Sequence, residues 1–543
     1  MKKAAIYCLV LALLCGAFTA CGDDKGGESS TPETAGSTTT TTTGDSTGST
    51  TEGTDATTGT GSSETEDTMN TTTDTTGAPT TGNGTSATTS GTTKDNDTPG
   101  STTKTTTTKK PTTSTTKQPD KGSTIESMLT PYLTAKPVVK EISSYNPTAT
   151  EWKNIKAITY DGAKMNGQKT KVFAYIGFPE GASASSKVPA IVLVHGGGGH
   201  AFAEWVKLWN DRGYAAIAMD TTGFFPSESG KGKAGRESDS AAMWHHGLYG
   251  EFAEAGYVNA PNNDEMRNSA GAVDQQWMYH AIAATMLAQN ILAGDSRVDA
   301  AKIGITGISW GGVITSLAIG YDSDYAFAIP IYGSAYLNES HAWMGPIFDG
   351  AKTKELWSAA DRLDKVTFPV MWLGWSSDNC FSINSQSKSY MDTKEKGAVL
   401  NMQVNWGHSH GQGWAPTDSF TFADSIVGKR GALTRITQEP QVKKNADGTY
   451  TATLKFAQDP TATKVSVTTA YIESPLSYVA PSPGSWPLIA QTWKAVKKSS
   501  CKVENGTVTV TLPKKTSDFY IIISTTAPDG KYDVSSQFIQ NLD

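Results

Sequence analysis

The stretch Ile303-Gly-Ile-Thr-Gly-Ile-Ser-Trp-Gly-Gly312 decides the fold. It begins as an apolar run typical of a buried strand and continues into residues 312–319, which predict a helix. A serine at such a sharp strand-to-helix turn has a strained backbone and an exposed hydroxyl, and the flanking glycines, Gly307 and Gly311, remove side chains that would clash across the turn. The N-terminus of the following helix would place backbone N–H groups near a developing oxyanion. We therefore predict that Ser309 is a nucleophile; the alternative is a structural turn serine.

Strand-like and helix-like runs alternate on both sides of this turn. Apolar or alternating runs predict strands at 171–177, 190–195, 214–219, 302–306, 326–332, 370–374 and 400–404, and apolar spacing of three and four predicts helices at 201–211, 274–292 and 312–319. This alternation predicts a mostly parallel central sheet with helices on both faces, in a catalytic domain of residues 123–430.

The pattern changes after about Gly428. Residues 450–456, 464–472, 507–512 and 519–523 read as strands without intervening helices, and Asn445-Ala-Asp-Gly448 and Glu504-Asn-Gly506 are turn sequences. Residues 431–543 are therefore predicted to form a small all-β sandwich, with an immunoglobulin-like arrangement as the favoured interpretation.

A second glycine-rich segment, Val194-His-Gly-Gly-Gly-Gly-His200, follows a predicted buried strand. Glycine allows the backbone to approach a substrate closely and to turn its N–H groups inward. The segment predicts one half of an oxyanion hole, with Gly197 or Gly198 as a donor and the N–H of Trp310 as the other. The alternative is a phosphate-binding loop, but no Gly-Lys-Ser/Thr follows.

A nucleophilic serine also needs an acid and a histidine later in the chain. Asp378 lies just beyond the carboxyl end of the strand predicted at 370–374, which is where the acid is expected. Its rival, Asp364, precedes that strand and is more typical of a solvated charge at a helix end.

Two histidines, His408 and His410, follow the strand predicted at 400–404. The base must reach Ser309 and offer its other ring nitrogen to the acid. A histidine followed by glycine, several residues past the last strand, favours His410 as the base. His408 remains the alternative, and the histidine that is not the base is expected to line the pocket.

No metal site or cofactor is predicted. The other histidines considered have no metal-ligand spacing with a carboxylate and read as surface or core residues: His245, His246, His280 and His341. Cys380 and Cys501 are interpreted as buried small hydrophobic residues, because two cysteines in so long a chain do not make a disulfide framework. The formal net charge of −7 and the lack of a basic cluster argue against nucleic acid as a partner.

The N-terminal region predicts export. Residues 1–20 have a charged start and a short apolar run, as in a signal peptide. The small residues before Cys21 resemble a bacterial lipobox, which implies lipidation of Cys21 and attachment to the cell surface through that lipid; an ordinary cleaved signal is the alternative. Residues 21–122 are rich in Thr, Ser and Gly and poor in apolar residues, so a long disordered linker is predicted.

The catalytic region resembles a known superfamily. The segment from Asp220 to Leu337, with Trp277-Met-Tyr-His280, the Ser309 turn and Tyr332-Gly333, is similar to secreted bacterial α/β-hydrolases close to dienelactone hydrolases, acetyl xylan esterases and the prolyl oligopeptidase catalytic domain; the segment from Trp406 to Ile426 continues the match. The resemblance implies a triad of Ser309, Asp378 and one of the two late histidines.

The export signal and the long linker predict a bacterial cell-surface protein that acts on a polymer outside the cell. The resemblance implies that it is a serine esterase, with an acetylated polysaccharide such as xylan as its substrate. The polar insert Thr221–Val273, which carries Phe224, Trp244 and Tyr249, is expected to form a lid, or alternatively a surface loop. Two other functions stay open: a peptidase of the prolyl oligopeptidase type, and a non-catalytic surface protein that uses its β-domain as a binding module.

Overall fold

A computed structural model describes residues 124–237, 249–251, 254–261, 271–483, 485 and 487–542 of the 543-residue chain. These residues belong to one compact unit. The predicted signal peptide, the lipidation site Cys21, the linker 21–122, and His245, His246 and Trp244 lie outside the described residues, so the predictions made for them stay predictions.

A continuous mixed sheet of 13 strands organises this unit. Its strands in the first part of the chain are β1 (Lys140–Glu141), β2 (Ile155–Asp161), β3 (Lys171–Gly177), β4 (Val188–Val194), β5 (Ala215–Met219), β8 (Val298–Ile308), β9 (Phe327–Ile331), β10 (Met371–Trp375) and β11 (Val399–Gln403), while β6 (Phe224–Pro226) and β7 (Tyr249–Glu251) form a separate hairpin. The strand order is β1-β2-β3-β5-β4-β8-β9-β10-β11, followed by strands of the C-terminal region.

The middle of this sheet is parallel, as the alternation of strands and helices predicts. Each neighbouring pair from β5 through β4, β8, β9 and β10 to β11 is parallel, whereas β1, β2 and β3 add an antiparallel edge. Every residue of β5 and β9 is buried. Burial of both faces requires cover on both sides, which explains why these strands read as continuous apolar runs.

Helices in the described residues cover this sheet. They are α1 (Thr124–Leu133), α2 (Ala203–Asn210), α3 (Trp277–Ala293), α4 (Trp310–Tyr321), α5 (Met344–Phe348), α6 (Ala351–Trp357), α7 (Ile383–Thr393), α8 (His410–Trp414) and α9 (Thr417–Ile426). Helix α4 is buried from Trp310 to Gly320, and α3 is buried along most of its length, so both lack the polar face of a surface helix. None of the described helices is long and apolar enough to cross a membrane.

The C-terminal region is all-β, as predicted. Its strands are β12 (Arg435–Lys444), β13 (Tyr450–Ala457), β14 (Lys464–Ile472), β15 (Tyr478–Val479), β16 (Leu488–Ile489), β17 (Lys494–Ala495), β18 (Cys501–Glu504), β19 (Thr507–Leu512), β20 (Asp518–Ala527) and β21 (Gly530–Ser535). Both predicted turns join antiparallel strands, β12 to β13 and β18 to β19. Asn505 and Gly506 have φ angles of 46° and 70°, the left-handed conformation that a two-residue hairpin requires.

This region is continuous with the sheet formed by the first part of the chain. Strand β21 pairs antiparallel with β11, with Leu400 opposite Ser535, and the sheet then runs on through β20 and β14 to β17. Strands β12, β13, β19 and β18 form a second, four-stranded sheet. The proposed boundary at 430/431 therefore marks a change of strand pattern within one sheet, and the immunoglobulin-like arrangement stays a prediction.

Candidate active site

Ser309 lies at the turn between β8 and α4, at the carboxyl edge of the parallel strands. Its φ and ψ angles are 58° and −118°, a strained conformation for a residue with a side chain. A Cβ atom on Gly307 would lie 2.2 Å from the carbonyl oxygen of Gly311, and one on Gly311 would lie 2.0 Å from that of Val194. Both contacts are too short for any side chain, which is the steric reason for glycine that the sequence indicates.

Three side chains from distant parts of the chain meet at this turn. The Nε2 atom of His408 lies 2.8 Å from Oγ of Ser309, and its Nδ1 atom lies 2.8 Å from Oδ2 of Asp378. Asp378 follows β10, and His408 follows β11, so neighbouring parallel strands deliver both residues to the same edge of the sheet. The arrangement is therefore a continuous hydrogen-bonded chain from carboxylate to imidazole to hydroxyl.

The environment of Asp378 fixes the proton positions in this chain. Its side chain is fully buried, and Oδ1 accepts the backbone N–H groups of Cys380 and Phe381 at 2.7 and 3.0 Å. Oδ2 of the carboxylate held in this way accepts Nδ1–H from His408. The Nε2 atom of a neutral His408 is thereby left with a lone pair directed at Ser309, the tautomer that a general base needs.

The structure corrects the choice between the two histidines, because His408 and not His410 bridges Asp378 and Ser309. Helix α8 begins at His410 and is capped by the hydroxyl of Ser409, which accepts from the N–H of Gln412. His408 precedes this helix and faces Ser309, whereas His410, in its first turn, faces the glycine-rich loop and accepts the N–H of Gly196 at 2.9 Å. The order of the two residues alone did not reveal where the helix starts.

Two aromatic rings that the sequence did not single out for this role hold His408 in place. Tyr332 stacks on the imidazole with a centroid distance of 4.4 Å and an interplanar angle of 25°, and Phe381 lies on an almost parallel plane at 5.9 Å. The hydroxyl of Tyr332 also donates to the carbonyl of Gly407. Tyr332 itself has a φ of 63°, so its backbone strain is another unusual feature of this edge.

The glycine-rich loop is fixed at its first residue by two histidines. His195 Nε2 accepts the N–H of Thr221 at 3.0 Å, so His195 donates Nδ1–H to the carbonyl of Gly196 at 2.8 Å. Burial lowers the pKa of His195, which favours this neutral form despite the nearby carboxylate of Asp220. His410 holds the N–H of the same residue, Gly196, which is therefore already used.

The predicted oxyanion donors of this loop follow the residue that the two histidines hold. Gly197 and Gly198 are partly exposed, whereas Gly196 and Gly199 are buried. A Cβ atom on Gly196 would lie 3.1 Å from Cβ of Ser309, so the loop passes directly beside the nucleophile position. Trp310 is the first residue of α4, and its N–H belongs to the helical turn that lacks intrahelical acceptors. The choice between Gly197 and Gly198 stays open.

His410 is neutral in the folded protein. Desolvation, together with repulsion from the neighbouring His195 and His408, lowers the pKa of its imidazole to about 3. Because a backbone N–H can only donate, His410 accepts from Gly196 with a lone pair on Nε2 and carries its proton on Nδ1. Protonating His410 would break its bond to the loop.

Replacing His410 by glutamine should therefore reduce the amount by which the unfolding free energy falls at acid pH. The unfolded histidine has a pKa near about 6.5. The pKa of His410 in the folded protein is lower, about 3. As the pH falls below the pKa of the unfolded histidine, the unfolded chain therefore binds a proton that the folded protein does not bind. This linkage should cost the wild type about 1–2 kcal/mol of unfolding free energy between pH 7 and pH 5. Urea unfolding at both pH values should show a smaller loss in the variant.

The exposed His341 provides the control for this experiment. His341→Gln should show the same loss between pH 7 and pH 5 as the wild type. Equal losses in the wild type and His410→Gln would contradict a neutral His410.

The C-terminal strands contribute directly to this site. The hydroxyl of Tyr478 donates to the main-chain carbonyl of Asp378 at 3.1 Å, and Nε1 of Trp493 donates to that of Ser376 at 3.1 Å. Both residues come from the segment around the β15–β16 hairpin, roughly a hundred positions from the loop they hold. No local pattern in the sequence indicates these contacts.

Among the described residues, the others considered in the sequence lie outside the hydrogen-bonded chain of Asp378, His408 and Ser309. Asp364 is exposed and outside the hydrogen-bonded chain of Ser309, as expected for the rejected alternative. His280 is buried and contacts the carbonyl of Asp274. Cys380 and Cys501 are partly exposed, which corrects the expectation that both are buried. The thiol of Cys380 lies beside Asp378 and His408 and completes a set of possible metal ligands.

The insert at 221–273 is described only in part. Its hairpin β6–β7 places Tyr249 against His200, with ring centroids 4.1 Å apart, and the Tyr249 hydroxyl accepts the N–H of Gly235. The insert thus packs against the end of the glycine-rich loop, at His200. Residues 238–248, 252–253 and 262–270 lie outside the described residues, so a lid stays a prediction.

The strand order, the strained serine turn and the side chains at its tip are those of the α/β-hydrolase fold. No protein-family model matches the chain. Among curated proteins, a probable dipeptidyl-peptidase 5 of Aspergillus clavatus is 32% identical over 95 residues, which is 16% of this chain and 13% of the relative. The match thus spans about an eighth of that relative's length.

Solved structures show a broader but weaker likeness. An acetyl xylan esterase from Paenibacillus sp. R4 has a TM-score of 0.37 and 16% identity, covering 56% of this chain and 92% of its own. The uncomplexed acylaminoacyl peptidase of Pyrococcus horikoshii has a TM-score of 0.32 and 18% identity, covering 48% of this chain and 38% of its own. TM-scores this low carry no information about activity. Any activity proposed for this chain must therefore rest on the geometry of its own site.

Proposed function

We propose that the protein is a serine hydrolase that cleaves carboxylic esters by acyl transfer. The observation that carries this proposal is the unbroken chain from Asp378 through His408 to Ser309, with both connecting distances at 2.8 Å. A serine hydroxyl needs an adjacent base to become a nucleophile at neutral pH, and the base needs a partner that fixes its tautomer. All three parts of this requirement lie beside a loop suited to bind an oxyanion.

In the proposed mechanism, His408 Nε2 removes the hydroxyl proton as Ser309 Oγ attacks the acyl carbon. The carbonyl oxygen becomes an oxyanion and accepts the N–H of Trp310 and that of Gly197 or Gly198. The intermediate collapses, the carbon–oxygen bond of the ester breaks, and His408 returns the proton to the departing alcohol. Water, deprotonated by His408, then attacks the acyl-enzyme, and the released acid restores Ser309.

We further propose that the substrate is an ester on an extracellular polysaccharide, such as the acetyl groups of xylan. The predicted export signal and long polar linker support a substrate outside the cell. A peptidase is the second candidate, because the matched curated relative is named a probable dipeptidyl-peptidase 5. A non-catalytic surface binding protein is the third, and the ordered acid–base–hydroxyl chain weighs against it.

A substrate panel separates these candidates. Wild type and Ser309→Ala should be assayed on p-nitrophenyl acetate, acetylated xylo-oligosaccharides and dipeptidyl anilides. We expect the wild type to release acetate from the esters with the higher kcat/KM, and the variant to lose this activity. Faster, Ser309-dependent cleavage of the anilides would replace the esterase with the peptidase. Binding of oligosaccharide without turnover of any substrate would favour the binding protein.

We also propose that Cys21 anchors the protein to a bacterial cell surface. The support is the apolar run that ends in small residues immediately before this cysteine. When the full chain is expressed in a bacterium fed a radiolabelled fatty acid, the wild type should become labelled and partition into membranes. Cys21→Ala should be unlabelled. Label on the variant equal to that on the wild type would contradict this anchor.

A further inference from the structure

The mechanism leaves one side chain beside the acid and base unused, the thiol of Cys380. Ligand atoms of Asp378, Cys380 and His408 all lie within 4.8 Å of one another. Cys380 belongs to the same turn as the acid, since its N–H donates to Oδ1 of Asp378 at 2.7 Å. One carboxylate, one thiol and one imidazole therefore form one compact cluster.

This set of donors suits a borderline-soft divalent cation. Zn²⁺ binds cysteine sulfur, histidine nitrogen and carboxylate oxygen at about 2.0–2.3 Å, in tetrahedral sites that often keep one position for water. Ligand atoms around such an ion are roughly 3–4 Å apart, and the three atoms here lie within 4.8 Å of one another. Mg²⁺ and Ca²⁺ prefer oxygen ligands and are disfavoured by the sulfur.

Solvent can reach two of the three ligands. The His408 side chain is 17% exposed and Cys380 is partly exposed, while the Asp378 side chain is fully buried. A cation approaching from solvent therefore meets the two partly exposed residues, Cys380 and His408, before the buried carboxylate of Asp378. Cys501, also partly exposed, is not part of this set and provides an internal comparison.

We propose that Asp378, Cys380 and His408 form an inhibitory site for Zn²⁺. Coordination through Nδ1 of His408 requires the tautomer with its proton on Nε2, so this proton moves across the ring while the thiol proton passes to solvent. No oxidation or reduction occurs. With Nε2 protonated, His408 can only donate to Ser309 and cannot remove its proton. Inhibition rests on the proposed function, whereas binding of the ion does not.

The first experiment measures inhibition. Hydrolysis of p-nitrophenyl acetate by the full chain should be titrated with Zn²⁺, and each variant compared with its own metal-free rate. We expect Zn²⁺ to inhibit the wild type and Cys501→Ser equally, and EDTA to restore both. Cys380→Ser should need at least about tenfold more Zn²⁺, since loss of a direct ligand should cost no less than loss of an outer-shell partner. Equal sensitivity of Cys380→Ser and wild type would overturn the proposal.

The second experiment detects binding without activity. Co²⁺ added to the full-length Ser309→Ala protein should produce the absorption of a cobalt–thiolate bond, and Zn²⁺ should displace it. Adding Cys380→Ser to this background should abolish the signal, whereas adding Cys501→Ser should not. A thiolate signal that persists without Cys380 would refute the site. If the protein were inactive on all esters but showed the Cys380-dependent signal, this result would contradict the proposed function and still support the metal site.

Discussion

Replacing Ser309 by alanine should lower kcat for ester hydrolysis by about 10⁴- to 10⁶-fold. The variant lacks the hydroxyl that His408 deprotonates for attack on the ester, and loss of a serine nucleophile in such a triad has effects of this size. The remaining rate would come from the oxyanion loop and substrate binding. Steady-state rates on p-nitrophenyl acetate, with protein purified from a host lacking competing esterases, provide the measurement.

Ser316 provides a matched control for this substitution. It lies in the same helix, α4, and its buried hydroxyl donates to the carbonyl of Gly312 at 2.8 Å. Ser316→Ala should cost about 1 kcal/mol of unfolding free energy and change kcat only slightly. Comparable activity losses in both variants would indicate a general disturbance of the helix, and unchanged turnover in Ser309→Ala would refute Ser309 as the nucleophile.

Exchanging each late histidine for glutamine should give very different results. His408→Gln should lower kcat by about 10⁴-fold or more, because glutamine can fill the space between Asp378 and Ser309 but cannot take up a proton. His410→Gln should keep most of the activity, because an amide oxygen can still accept the N–H of Gly196. The measurements are kcat and KM for both variants on the same ester.

The comparison of these two variants tests the geometry directly. Both replace an imidazole with the same amide, at positions two residues apart, so a nonspecific effect on folding should influence them similarly. Circular dichroism and urea unfolding should first establish that each variant is folded. If His410→Gln lost more activity than His408→Gln, the assignment of His408 as the base would be wrong.

The steric features of the serine turn could be predicted because they depend on neighbouring residues. A side chain on Gly307 would clash with Gly311, only four positions away, so this exclusion arises within the turn itself, whereas a side chain on Gly311 would clash with Val194 on a neighbouring strand. Likewise, the strands β3, β14 and β19 have the bounds that their apolar patterns predict. Asp378 could be placed for a similar reason, because the end of its strand is a local feature and parallel strands share a carboxyl edge.

The choice of base could not be made in this way. The path from β11 to His408 includes Asn405 in a left-handed conformation, with a φ of 55°, and the contact of Tyr332 with Gly407. Tyr332 directly follows β9 and is far from His408 in the chain, so its stacking on His408 is a tertiary contact. Because the sequence pattern contains none of these contacts, it favoured His410, whereas His408 is the residue that reaches the nucleophile position.

The sequence by itself determined the strand–serine–helix turn, the parallel sheet, the acid and the all-β character of the C-terminal region, because periodicity and steric exclusion act over a few residues. Only the tertiary structure decided that His408 bridges Ser309 and Asp378, that His410 holds the glycine-rich loop, and that β21 joins the catalytic sheet through β11. Those outcomes depend on hydrogen bonds and packing between residues far apart in the chain. A local sequence pattern does not predict such contacts, because many different residues elsewhere in the chain could form the same hydrogen bonds.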